Sequence, residues 1–157
     1  VQLRVEHCDL AYLLDICAAA LGRKAAAKNQ SVAVLVTPPD LTIASDANAL
    51  AEVIKRLLDN AVKFTPQGGQ IGLEAHPGAA PDSVDLVVWD TGEGIAADHL
   101  EHILGPFTQV DAGLTRDHEG LGLGLAYVNQ MVRLLGGTLA IASTPGVGSR
   151  FTITLPT

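Results

Sequence analysis

Asn60 and Lys63 stand close together in the segment Asp59-Asn60-Ala61-Val62-Lys63-Phe64-Thr65, and Asp90 opens a second segment, Asp90-Thr91-Gly92-Glu93-Gly94-Ile95. Two glycine-bearing segments follow, Gly120-Leu121-Gly122-Leu123-Gly124-Leu125 and Gly146-Val147-Gly148-Ser149. The amide oxygen of Asn60 is a hard ligand of the kind magnesium takes, and magnesium is commonly held by few protein oxygens while sharing phosphate oxygens. Lys63 supplies a cation for phosphate. An ionised carboxylate only accepts hydrogen bonds, so Asp90 pairs with the exocyclic amino group of adenine and opposes the oxygen that guanine carries there. Gly94 lets a base lie close to the backbone, where a Cβ would intrude. Gly120, Gly122 and Gly124 alternate where a helix is expected to begin, so unpaired N–H groups at its start would face phosphate. Taken together, these chemistries describe a nucleotide site.

Each residue also has a plainer reading. Asn60 alone is a surface helix residue, Lys63 a solvated charge, Asp90 a residue that caps its own loop, and Ser149 part of an ordinary hairpin. The order of the four segments is what favours the functional reading. A dinucleotide-binding turn is the obvious rival for the glycines, but the Gly-x-Gly-x-x-Gly spacing is absent and the glycines come late in the chain.

The elements that must position these residues follow from pattern. Leu10 to Lys28 reads as a helix, and Ser31 to Val36 and Leu41 to Ala44 as strands about the Pro38-Pro39 turn. A second helix begins near Ser45 or Asp46, either an acceptable N-cap, and ends before Pro66. Its stripe of Leu50, Val53, Ile54, Leu57, Leu58 and Ala61 sets Arg56, Asn60 and Lys63 on one flank. Gln70 to Ala75 and Ser83 to Trp89 read as strands joined by a turn around Pro77 to Pro81. After them come a helix from about Ala97 to His102, a polar segment to Glu119, a helix from about Gly122 to Leu135, and strands over 138–143 and 149–155. This α/β pattern has few simple βαβ crossovers and predicts a helix layer on a mixed sheet. The long segment Gly105 to Glu119 has the length of a lid or binding loop, with Phe107 as its hinge or docking aromatic.

The four segments, with Ile103-Leu104-Gly105-Pro106-Phe107 and the closing run Gly136-Gly137-Thr138 through Gly148-Ser149-Arg150-Phe151-Thr152-Ile153-Thr154-Leu155-Pro156, resemble in order and wording the catalytic, ATP-binding domain of bacterial sensor histidine kinases. That family shares a superfamily with type II topoisomerases, mismatch-repair ATPases and heat-shock chaperone ATPases. The resemblance covers nearly the whole chain and implies a two-layer α+β sandwich: a mixed, mostly antiparallel sheet on a layer of helices, with ATP held under a flexible lid. Asn60, Lys63 and Phe64 match the N box, Asp90, Gly92, Gly94 and Ile95 the G1 box, Phe107 the F box, and Gly120, Gly122, Leu123 and Gly124 the G2 box. Arg116 matches a lid arginine that reaches the terminal phosphate, and Ser149 a hydroxyl that supports adenine recognition. Asn60 is the implied magnesium ligand.

The same resemblance implies the partners: a dimerisation and phosphoacceptor helical hairpin, a response regulator receiver domain downstream, and a homodimeric parent. No acceptor histidine motif occurs here, since His7 sits in Val-Glu-His-Cys-Asp-Leu. Residues 1–28 therefore read as the linker and first helix after an acceptor region, and 29–157 as the ATP-binding domain, all within one folded unit. Three places depart from the family's wording. Arg56 stands where hydrolytic relatives carry a water-activating glutamate, Leu104 and Gly105 replace the usual Phe and Glu, and Glu119 and Leu121 replace small residues beside the glycines. The alternative within the fold is an ATP-binding regulatory module or a serine-directed kinase.

Bulk properties agree. A chain of 157 residues with 48% hydrophobic content can bury a core. Its net charge of -7 argues against nucleic acid as a partner. No apolar run is long enough to span a bilayer, and a cytoplasmic setting is expected. Cys8 and Cys17 show no metal-ligand spacing and read as free thiols, and His99 and His102 lack a completing ligand set.

Overall fold

The computed structural model describes residues 2–94 and 116–157, with side chains in the second stretch from residue 124 onward. Strand β1 (Glu6–Asp9) runs into helix α1 (Leu10–Ala27), followed by β2 (Ser31–Val36), β3 (Thr42–Ser45), helix α2 (Ala47–Phe64), β4 (Gln70–Pro77) and β5 (Ser83–Asp90). Helix α3 (Arg116–Leu134), β6 (Thr138–Thr144) and β7 (Gly148–Pro156) complete the described elements.

Five strands form one sheet in the order β2-β4-β5-β7-β6, parallel only between β2 and β4. Alternation along the strands sends Ile71, Leu73 and Ala75 of β4, Val84, Leu86 and Val88 of β5, and Phe151, Ile153 and Leu155 of β7 to the face that the helices cover. The helices answer with buried stripes at helical spacing: Leu10, Leu14, Cys17 and Leu21 from α1, the α2 stripe read from the sequence with Val62 added, and Leu125, Val128 and Val132 from α3. The two layers are those the sequence pattern predicts, and α1 shares this single core with α2.

Strand β1, which the sequence reading leaves without an assignment, pairs antiparallel with β3 and brings Cys8 opposite Ile43. Both cysteines are free and buried, and burial pushes the Cys17 thiol up to about 11, so it packs as a protonated, nearly apolar side chain.

Asp46 is the N-cap of α2, accepting from Ala49 N at 3.0 Å, and it also accepts from Arg4 N at 2.8 Å. These bonds, that from Arg4 foremost, hold its carboxyl below the usual range. A folded-state pKa below the unfolded one stabilises above the ordinary carboxylate range and loses that stabilisation as pH falls through it. Asp46→Ala is expected to cost about 1 kcal/mol, the usual worth of such a cap, with the deficit shrinking in acid; urea denaturation at neutral and acidic pH measures both.

One boundary differs from the sequence reading. Helix α3 begins at Arg116, so Gly120, Gly122 and Gly124 lie inside it and not at its start. Glycine costs only about 1 kcal/mol in a helix interior, and helix propagation carries through such residues once a turn exists.

Candidate nucleotide site

Three elements converge on the short loop 91–94 after β5. From α2, the Phe64 carbonyl accepts Glu93 N at 3.4 Å. From the β6–β7 hairpin, Gly146 N donates to the Glu93 carbonyl at 2.7 Å. From β4, Thr91 N donates to the Gln70 carbonyl, and Thr91 Oγ1 accepts Gln70 N, both at 3.0 Å.

This crowding explains the glycines. A Cβ on Gly92 would stand 2.7 Å from both the Phe64 carbonyl oxygen and Asp90 Oδ1. Gly94 has φ +74°, and its Cβ would run into the backbone carbonyl of Thr144. Both positions exclude a side chain for reasons of space, and Gly94 also for backbone conformation.

Asp90 is the last residue of β5, opposite Ser149 of β7. Its Oδ1 accepts Gly92 N at 2.8 Å, so the loop-capping role and the recognition role fall on one carboxylate. Burial pushes its pKa up, and the backbone N–H groups of Gly92 and Ser149 only partly oppose that. Ser149 is buried, and its Oγ lies 2.8 Å from Ser143 Oγ, which also donates to the Gly148 carbonyl at 3.1 Å. Ser143 was not singled out in the sequence, because its partner becomes a neighbour only through the β6–β7 register.

Asn60 is partly buried on α2, and among the described residues its Nδ2 has no hydrogen-bond partner. That nitrogen would be 3.7 Å from a Cβ on Gly124, so α3 approaches Asn60 through a residue that leaves room beside the amide. A buried amide without an internal partner is a polar group left for something outside the protein. Among the described residues no three His, Cys, Asp or Glu side chains cluster as a metal cage. A cation that shares its shell with phosphate oxygens would take Asn60 through Oδ1, the other end of the same amide, because Nδ2 is a donor and cannot ligate a metal.

Lys63 is exposed on the last turn of α2, 5.5 Å from the Phe64 ring, and Phe64 packs partly against the core. Arg56, one turn before Asn60, is occupied otherwise: it pairs with Glu52 at 3.1 Å and lies 4.1 Å over the Tyr127 ring, tying α2 to α3. Such an exposed pair contributes little stability.

The structure thus brings Asn60 beside Gly124, and Phe64, Gly92, Gly94, Asp90 and Ser149 into one neighbourhood. Arg116, Gly120, Gly122 and Leu123 belong to α3. Ile95, Phe107, Leu104, Gly105, the expected helix near Ala97 to His102 and the histidines within it lie outside the described residues.

Comparison with known proteins gives the same picture. Residues 45–157 match the family model described as histidine kinase-, DNA gyrase B- and HSP90-like ATPase. An uncharacterised sensor-like histidine kinase of Rhizobium meliloti (strain 1021) is 35% identical over 99% of the chain, which spans 29% of that relative. The sensor histidine kinase RcsC of Escherichia coli (strain K12) is 38% identical over 75% of the chain and 12% of its own length. The full-length kinase ShkA, solved in complex with AMPPNP, superposes with a TM-score of 0.85 at 30% identity, covering 99% of this chain and 32% of that one. The chain therefore spans less than a third of the length of these relatives.

Proposed function

Since the chain belongs to the histidine kinase-, DNA gyrase B- and HSP90-like ATPase family, and resembles in sequence and fold the catalytic domain of sensor histidine kinases, we propose that residues 1–157 bind magnesium-ATP and supply its γ-phosphoryl group to a histidine on a separate helical hairpin of the parent protein. The observation that supports this reading is the convergence of α2, the β6–β7 hairpin and β4 on loop 91–94, which ties the strand end bearing Asp90, opposite Ser149, to the helix that bears Asn60 and Lys63.

In this reading Asp90 accepts the adenine amino group, Ser149 supports it from the neighbouring strand, Gly92 and Gly94 let loop 91–94 close against Phe64 and Thr144 beside the base, and Ile95 borders the base. Asn60 would hold magnesium, whose charge offsets that of the phosphates when bound. Lys63 contacts the phosphates from the last turn of α2. Gly120, Gly122, Leu123 and Gly124 border the phosphates from α3, while Arg116 and Phe107 serve the lid. The reaction breaks the bond between the γ-phosphorus and its bridging oxygen, which leaves with ADP, and forms a bond from phosphorus to an imidazole nitrogen. Such transfer depends on positioning, so the acceptor must be placed in line by its own module.

Residues 1–28 are the connection from that hairpin, the parent is a homodimer, the domain works in the cytoplasm, and a response regulator receiver domain takes the phosphoryl group next. Water is a poor acceptor here, because Arg56 stands where a carboxylate base would be needed and a guanidinium does not act as a base at neutral pH. The test is to incubate the chain with γ-labelled ATP, alone and with a separately made acceptor hairpin of the parent. Acid-labile label on the hairpin, little turnover without it and none with an Asn60→Ala chain are expected. Rapid ATP hydrolysis by the chain alone, lost with Asn60→Ala, would favour an ATPase, and acid-stable label a serine-directed kinase.

A further inference from the structure

We infer that Gln30, on the turn between α1 and β2, is a positioning residue for the phosphate end of the nucleotide site, an inference that rests on the ATP-binding reading above. The last carbonyls of a helix lack intrahelical partners and must find others. Thr65 N takes the Ala61 carbonyl at 3.0 Å, and Glu93 N takes that of Phe64. Lys28 Nζ donates to Val62 O at 2.8 Å and to Lys63 O at 3.2 Å. Gln30 Nε2 donates to Val62 O at 3.0 Å and to Thr65 O at 2.7 Å.

The two hydrogens of one amide thus bracket Lys63 and Phe64, holding the backbone just before and just after them. Gln30 is 8% exposed and Thr65 is fully buried, so water does not readily replace this clamp. The orientation of the amide is dictated by chemistry: turned over, its oxygen would face two carbonyl oxygens, and repulsion would replace two bonds. The arrangement leaves Gln30 Oε1 buried with no partner, an acceptor that a purely structural filler would not need to strand. The base end has anchors of its own, through Thr91 to Gln70 and Gly146 to Glu93. Around the turn that bears Lys63, the side-chain donors are Gln30 and Lys28, beside the backbone bond from Glu93 N to the Phe64 carbonyl.

Gln30→Met keeps the volume and removes both donors. Relative to the parent chain, calorimetry at a temperature where both are folded should show magnesium-ATP binding about five- to twentyfold weaker, the scale of a lost buried hydrogen bond, with AMP binding within about twofold. Gln30→Glu provides a readout that packing alone would not move. Its ionised carboxylate opposes the two carbonyls, whereas its protonated form donates to one of them. Magnesium-ATP affinity of Gln30→Glu, normalised to the parent at each pH, should therefore recover as pH falls from about 8 to about 6, while that of Gln30→Met stays flat. Equal weakening of AMP and magnesium-ATP by Gln30→Met, or an unchanged magnesium-ATP affinity, overturns the inference. Should Gln30→Met not fold, the Gln30→Glu profile decides, and a flat one overturns it. A parent chain that binds AMP and magnesium-ATP not at all overturns the nucleotide reading itself.

Discussion

Asp90→Asn is expected to weaken ATP binding by about 1–3 kcal/mol, or roughly five- to 150-fold, while making the nucleotide-free domain more stable. Both effects arise from the same buried carboxylate. Burial is the largest influence on Asp90 and raises its pKa, with Gly92 and Ser149 N–H groups opposing it. A carboxyl whose folded pKa lies above its unfolded one favours the fold only at low pH, and that contribution is lost as pH rises through the folded value. At neutral pH the ionised Asp90 is therefore a cost to the fold that Asn removes, and the Asn oxygen can still accept Gly92 N. For binding the sign is opposite, since the amide presents donors as well as an acceptor toward the adenine amino group. ATP affinity of the parent should accordingly decline on acidification at a higher pH than an exposed aspartate would require. Calorimetry and thermal denaturation of the two chains measure the pair of effects, and equal ATP affinity removes Asp90 from the base site.

Asn60→Ala should reduce magnesium-ATP affinity about tenfold or more, given that even partners behind a metal ligand are worth 10- to 100-fold, and should change metal-free ATP binding little. Its effect on the fold is expected to be neutral or favourable. The amide nitrogen is buried without a partner, and alanine is the better helix former. Titrations with magnesium and with a chelator separate the two cases: an identical loss in both would mean that the amide acts on the packing of α2 against Gly124 rather than through a cation. In both Asp90 and Asn60 the local rules of stability are broken at the proposed site, which is where a sequence selected for binding departs from one selected for folding.

Local signals in the chain were enough for much of the frame. The α2 stripe and its Asp46 cap are properties of neighbouring residues, as are the alternation of β4, β5 and β7 and the turns that separate them. Three alternating glycines look like a helix boundary, yet α3 runs through them from Arg116. The four residues of β1 carry too little pattern to mark a strand, and its partner β3 lies more than thirty residues away.

The residue types and their order along the chain determined the chemistry on offer: an amide, a lysine, an acceptor-only carboxylate and glycines at close approaches, in an arrangement that identifies the family. Those are intrinsic properties of side chains, present whatever the fold. Only the tertiary structure decided how they are held. It made Ser143 the neighbour of Ser149 through the β6–β7 register, set Gly124 against Asn60, and turned Arg56 onto Tyr127. It also drew Gln30 to carbonyls more than thirty residues further along the chain. The physical reason is that burial, strand register and hydrogen bonding between segments depend on how the layers pack, which no local pattern of residues specifies.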